Sequence, residues 1–223
     1  MAYPYYLEQF LASTPPFSQL PTDALRELTA GCFERRFDKG QTIFREGQPS
    51  QSVWVLKKGR VHLVHHLKTG RVSTTCVVVP QELFCCLPAL DQREYPATAV
   101  AAVDSVVVQV PTMLFHQAMT KQPTFAQQTL CTVCDRLRQI EFRGCLSQEA
   151  VPRRLAQTLL TLAKKFGTEI PMTRQELADL SGTTVETVIR TLSAFQKSRL
   201  VQRSARGTIQ ISSVAVLQRY LAS

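Results

Sequence analysis

No stretch of this sequence approaches the ~20 uncharged apolar residues needed to cross a bilayer. The opening Met1-Ala-Tyr-Pro-Tyr-Tyr6 has no basic patch leading into an apolar run. Neither membrane insertion nor secretion is expected, and a cytoplasmic setting follows. Acidic residues are scarce beside basic ones, with 17 Asp and Glu against 26 Lys and Arg and a net charge of +9. Charge of either sign makes up only 19% of the 223 residues and apolar side chains 44%, with 9 Gly and 12 Pro. That balance excludes collagen-like, low-complexity and strongly charged disordered chains. The length suits one large domain or two small ones. Catalytic signatures are missing too: there is no P-loop, zincin motif, G-x-S-x-G or dinucleotide fingerprint. His62, His65, His66 and His116 suggest no triad, so an enzyme is not expected.

Seven cysteines are present, Cys32, Cys76, Cys85, Cys86, Cys131, Cys134 and Cys145, an odd number at irregular spacing. They read as thiols in a reducing compartment. Cys131-x-x-Cys134 lacks the second pair or nearby His that would complete four zinc ligands, so no metal is expected.

The basic excess is unevenly spread. Residues 148–223 hold 11 basic and 5 acidic side chains, and residues 1–147 hold 15 and 12. A positive field concentrated in the last third suits a polyanion partner, although a merely solvated surface would have the same composition.

From Phe37 to Pro111 short β-branched and aromatic runs, such as Val53-Trp-Val-Leu56, Val61-His-Leu-Val64 and Val106-Val-Val-Gln-Val110, alternate with turn signals. The turns fall at Asp38-Lys-Gly40, Glu46-Gly47-Gln48-Pro49, Lys57-Lys-Gly59 and Lys68-Thr-Gly70. A compact β-barrel or roll is expected, flanked by helices at Pro21–Cys32 and Met113–Met119. Leu130, Val133, Leu137, Ile140 and Gly144 then recur at an average of about 3.5 residues, the spacing of a coiled-coil seam. This predicts a helix over about 123–146 that pairs with its copy about a two-fold axis, making a homodimer. Packing of the stripe on the chain's own barrel is the alternative. The pattern breaks at Ser147, and Pro152 suits the first turn of a new helix. The domains are therefore expected at 1–147 and 148–223.

In the second domain Thr173-Arg-Gln-Glu176 is a capping box opening a helix over Arg174–Leu180. Ser181-Gly182-Thr183 turns the chain, and Thr184 begins a second helix, Val185–Lys197, with Val188, Leu192 and Phe195 as its buried stripe. Two short helices about a Gly-containing turn make a helix-turn-helix. Leu200–Arg203 and Thr208–Ile211 form a hairpin about Ser204-Ala-Arg206-Gly207, a wing. Glu186 and Arg190, at i and i+4, can present an acceptor and a guanidinium fork to a major groove. A surface salt bridge between them is the plain alternative.

Over nearly its whole length the chain resembles the cyclic-AMP receptor protein/Fnr family of bacterial transcription regulators. The matching runs are Phe37-Asp-Lys-Gly-Gln-Thr-Ile-Phe-Arg-Glu-Gly47, the long helix, Thr173-Arg-Gln-Glu-Leu-Ala178 and Thr184-Val-Glu-Thr-Val-Ile-Arg190. The resemblance implies an α+β fold with an N-terminal cyclic-nucleotide-binding-like β-roll, a long dimerisation helix and a C-terminal winged helix-turn-helix. It implies a homodimer on double-stranded DNA with RNA polymerase as a further partner and no membrane. The expected DNA contacts are Thr173, Arg174, Gln175, Thr184, Val185, Glu186, Thr187, Arg190 and Arg206. Thr-Val-Glu-Thr, in place of the Ser-Arg-Glu-Thr of cyclic-AMP receptors, looks like the Fnr branch and implies an inverted repeat of TTGA-like half-sites.

Effector control is expected through Phe84, Cys85, Cys86, Tyr95, Pro96, Ala97 and Thr98, acting on the helix. The chain departs from the family there. Where nucleotide-binding members carry Gly-Glu and Arg-Ser pairs, this chain has Cys85-Cys86 and Pro96-Ala97, so the charge-assisted phosphate contact is lost. Cyclic AMP is therefore not the expected effector. Cys32 stands alone where iron–sulfur members carry a cysteine cluster, so no such cluster is expected. A haem-binding branch has Phe-Cys followed by a His ligand, but Leu87 occupies the His position here. The cofactor is left open, with three alternatives: a haem sensor, a thiol-redox switch at Cys85 or Cys86, and a regulator with no effector.

Overall fold

The computed structural model describes residues 3–66, 72–146, 148–203 and 208–222. They fall into two compact units, one drawn from residues 1–65 and 75–139 and the other from 66–74 and 140–223.

The first unit begins with α1 (Tyr3–Ala12), a single 3-10 turn at Phe17–Gln19 and α2 (Thr22–Thr29). The strands follow: β1 (Phe33–Phe37), β2 (Thr42–Phe44), β3 (Ser52–Lys58), β4 (Val61–His66), β5 (Val72–Val78) and β6 (Leu83–Phe84). After a short α3 (Leu87–Asp91) come β7 (Thr98–Ala101), β8 (Ser105–Pro111), α4 (Thr112–Lys121) and α5 (Pro123–Leu146). Two four-stranded sheets result, in the orders β1-β8-β3-β6 and β2-β7-β4-β5.

The expected roll therefore starts earlier than Phe37. Phe33-Glu-Arg-Arg-Phe37 lacks an apolar alternation, and Phe33 is 61% exposed. It is a strand because its backbone pairs with β8 in register from Phe33↔Gln109 to Phe37↔Ser105. Among the turns, Gly59 is required on two counts. Its φ is +97°, and a Cβ there would lie 2.6 Å from the Asp104 carbonyl oxygen. The expected turn at Lys68–Gly70 lies outside the described residues.

The central strand β3 is buried on both faces, which is why it reads as an unbroken apolar run. Val53 and Val55 face a cluster built with Leu11, Leu25, Leu28, Phe115 and Phe125 from the helices. Trp54 and Leu56 face the space between the two sheets, with Phe44, Phe84, Tyr95 and Val107.

The second unit contains α6 (Val151–Phe166), β9 (Glu169–Ile170), α7 (Arg174–Ser181), α8 (Val185–Lys197), β10 (Val201–Arg203), β11 (Ile209–Ile211) and α9 (Val214–Ala222). The boundary expected after residue 147 lies between α5 and α6, whereas the two compact units divide within α5, after residue 139. As the apolar stripe of α6 predicts, Leu155, Leu159 and Leu162 are buried. Glu169–Ile170 is more than a link, since β9 pairs with β11 to make a three-stranded sheet ordered β10-β11-β9. Phe195 of α8 meets the Tyr220 ring of α9 edge-on at 5.4 Å, closing the core over α8.

Candidate nucleic-acid interface

The two helices of the helix-turn-helix are held by caps written into the sequence. The Thr173 hydroxyl accepts the backbone N–H of Glu176 at 3.1 Å, and the Glu176 carboxylate accepts the Thr173 N–H at 2.7 Å. These bonds satisfy two backbone donors that the first turn would otherwise leave unpaired. At the other end of α7, Gly182 takes the left-handed conformation (φ 61°, ψ 45°) and donates its N–H to Ala178. Its carbonyl accepts from the Arg154 guanidinium of α6 at 3.2 Å. Thr184 then caps α8, accepting the Thr187 N–H at 3.3 Å.

Burial fixes which face of α8 looks outward. Val188, Thr191, Leu192 and Phe195 are buried, including all three expected stripe residues. Glu186 and Arg190 are exposed on the opposite side, one helical turn apart. Among the described residues neither belongs to an ion pair, so the two are not spent on each other. The backbone N–H of Glu186 and the Thr184 hydroxyl bond its carboxyl and hold it below the usual carboxylate range. At neutral pH it is an acceptor only. Of the other expected contacts, Thr173, Gln175 and Thr184 are exposed, while Arg174, Val185 and Thr187 are half-buried. The Gln175 amide donates to Asp179 at 2.9 Å. Arg206 lies outside the described residues. One exposed side chain on this face is absent from the expected set: Ile189 is 49% exposed. Its signal was the helical period itself, since it lies three residues after Glu186 and beside the buried stripe.

On α5, Leu130, Leu137 and Ile140 are 53%, 53% and 63% exposed, and Gly144 is exposed with open space where a Cβ would stand. Val133 departs from this stripe. It is half-buried against the helical cluster of its own unit, because the helix rotates that position inward beside the buried Phe125 and Thr129. Cys131 and Cys134 are exposed.

Of the expected effector region, Phe84, Cys85, Cys86, Tyr95, Ala97 and Thr98 are buried and Pro96 is exposed. The space between the sheets is filled by aromatic side chains. Phe44 stacks on Tyr95 at 3.9 Å and lies 5.9 and 6.2 Å from the rings of Trp54 and Phe84. The Trp54 indole N–H donates to the Tyr95 oxygen at 3.0 Å, and the Tyr95 hydroxyl donates to the Ser52 carbonyl at 2.7 Å. Burial pushes the Cys85 thiol up from 9.0 to about 12, against the nearby Arg136 charge, and raises Cys86 as well. Thiols so placed stay protonated and are poor nucleophiles. Arg136 of α5 donates to the Leu83 carbonyl. An open cleft of ≈ 660 Å³ borders this region, lined by its Tyr95 and Pro96 together with Glu46, Gln92, Arg93 and Glu94 among others.

Leu87, at the place of the haem branch's His, has no ligand atom and is 50% exposed, and Pro96 and Ala97 provide no charged donor for a phosphate. No described helix is long and apolar enough to cross a membrane.

Geometry of this kind, a β-roll followed by a long helix and a capped helix-turn-helix with a strand pair behind it, defines a class of transcription regulators. The comparisons agree. Residues 34–122 match the cyclic nucleotide-binding domain and residues 153–220 the Crp-like helix-turn-helix domain. The chain belongs to the cyclic-AMP receptor protein/Fnr family, and it is a Crp/Fnr-type transcription regulator with a helix-turn-helix DNA-binding domain. It is 29% identical to the cyclic AMP receptor protein of Thermus thermophilus over 211 residues, covering 93% of this chain and 97% of the relative. It is 25% identical to the transcriptional activator protein FnrA of Stutzerimonas stutzeri over 191 residues, covering 82% and 78%. The structure of FixK2 from Bradyrhizobium japonicum shares the fold, with a TM-score of 0.77 at 23% identity over 84% of this chain and 96% of that one.

Proposed function

We propose that this regulator acts as a homodimer that reads an inverted repeat of TTGA-like half-sites in double-stranded DNA. The observation that carries the reading is the outward face of α8, where Glu186 and Arg190 stand exposed, one turn apart and outside any ion pair among the described residues. Arg190 donates two parallel bonds to guanine O6 and N7, and the Glu186 carboxylate accepts from a cytosine amino group. Thr173, Gln175 and Thr184, at the starts of the two helices, meet phosphates beside the first-turn amides, with Arg206 doing the same from the wing. Leu130, Leu137 and Ile140 supply the dimer contact, since together they leave an apolar stripe in water.

Two-fold symmetry sets the centres of the half-sites one helical turn apart, about 34 Å. Selection from random duplex DNA should return a pseudo-palindrome with a G·C pair in each half. A selection without an inverted repeat would overturn the reading. Sedimentation of Leu137→Glu should show monomers where the parent protein sediments as a dimer.

For the effector, the interior of the roll favours a regulator that works without a small molecule between its sheets. Phe44, Trp54, Phe84 and Tyr95 already occupy that space, and the buried thiols of Cys85 and Cys86 are poorly placed for redox chemistry. Calorimetric titration with cyclic AMP should show no micromolar binding. A signal in that range would mean that the aromatic cluster opens.

A further inference from the structure

Ile189 is the one large apolar side chain of α8 left substantially exposed, at 49%, and it lies on the face that carries Glu186 and Arg190. It follows Glu186 by three residues and precedes Arg190 by one, so at about 100° per residue it flanks both. The neighbouring Ser193 hydroxyl on that side is turned back onto the Ile189 carbonyl at 2.9 Å. Its proton is thereby committed inside the helix, and at this level the outward chemistry is the branched hydrocarbon of Ile189. Val185, the other apolar residue beside Glu186, is half-buried and sits in the first turn.

A major groove is lined by polar base edges and offers one apolar group, the C5-methyl of thymine. We propose that Ile189 is a base-reading residue that packs on the methyl group of a thymine beside the guanine read by Arg190. The assignment rests on α8 being the base-reading helix. It adds a contact selective for a methyl group at a position where a polar side chain would instead seek a hydrogen bond. Duplex DNA is the occupant that suits this face, because the exposed Arg190 next to Ile189 complements a polyanion.

The test uses the full-length protein and the duplex returned by selection, with each thymine of one half-site replaced in turn by deoxyuridine, which removes only the methyl. Fluorescence anisotropy should show one position where the replacement weakens binding about fourfold, the effect of one buried methyl group. Ile189→Ser should bind with no penalty at that position while keeping its preference for the guanine. Ile189→Val should retain the penalty, and so should Val185→Ala. Thermal melts of the variants should match the parent, since the side chain is exposed. The proposal is overturned if the penalty persists in Ile189→Ser, if no thymine shows one, or if the selected site has no thymine beside the guanine. The parent reading fails separately, through an Arg190→Ala variant that binds as the parent does.

Discussion

Inside the β-roll the Phe44 ring stacks on Tyr95, and the Trp54 indole N–H and the Tyr95 hydroxyl each find a partner within the chain. On α8 the side chains of Ile189 and Arg190 point instead into solvent. The first region has closed on itself. Its Trp54 and Tyr95 donors are satisfied and its rings are in contact, so a ligand entering between them would have to displace aromatic contacts worth ~0.5–1.5 kcal/mol per pair beyond their buried area. The second keeps donors, acceptors and apolar surface in reserve for an outside partner. Within one chain, the expected effector region is largely buried, and the outward face of α8 is open.

The largest effect expected from this contrast is on stability. Phe44→Ala removes the ring shared by three aromatic pairs and should destabilise the protein by ~3–5 kcal/mol, read as a lower midpoint of urea unfolding. A loss under ~1 kcal/mol would show that the interior has slack, and the contrast with α8 would collapse.

Arg190→Ala should do the reverse. DNA affinity should fall by ~1–3 kcal/mol with relaxed specificity at the guanine, while the unfolding midpoint changes by no more than ~0.5 kcal/mol, as for surface sites generally. If the melt shifts and binding does not, Arg190 belongs to the fold rather than the interface.

A smaller effect sharpens the boundary between the two behaviours. Thr173 serves the fold as a cap and, in the proposed reading, DNA as a phosphate contact. Thr173→Ala should cost ~1 kcal/mol of stability through the lost capping box. It should also weaken every DNA sequence alike, measured by comparing specific and scrambled duplexes.

The alkaline limb of the stability curve gives the gentlest test. Burial raises Cys32 and Cys85 from 9.0 to about 12 and raises Cys86 as well. Below pH 9 these thiols are protonated in both folded and unfolded chains, so their contribution is constant there. Between pH 9 and 12 the unfolded chain ionises and the folded one does not, so stability should decline through that window. Replacing Cys85 by Ser should make the decline shallower. An unchanged slope would mean that water reaches the thiol.

Much of the DNA-binding half was legible because its signals are local. A capping box, a glycine at a left-handed position and a 3.6-residue stripe each involve residues within one or two turns of one another, and backbone geometry forces them to meet. Glu186 and Arg190 on one face followed from their spacing alone. The β-roll was less legible. The interior of the roll joins Phe44, Trp54, Phe84 and Tyr95, which are far apart in the chain, and no period links them. Strand β1 was missed for the same reason, since its only warrant is a backbone ladder to β8 some 70 residues on.

By itself, then, the sequence determined the two helices of the helix-turn-helix, their caps and the glycine between them, because each depends on residue identity or on neighbours in the chain. Only the tertiary structure decided that aromatic rings fill the roll, that the thiols of Cys85 and Cys86 are buried, that Val133 turns into its own core and that Ile189 is left outside. Those outcomes depend on which distant surfaces exclude water from one another, and burial is a property of the packed whole that no segment carries alone.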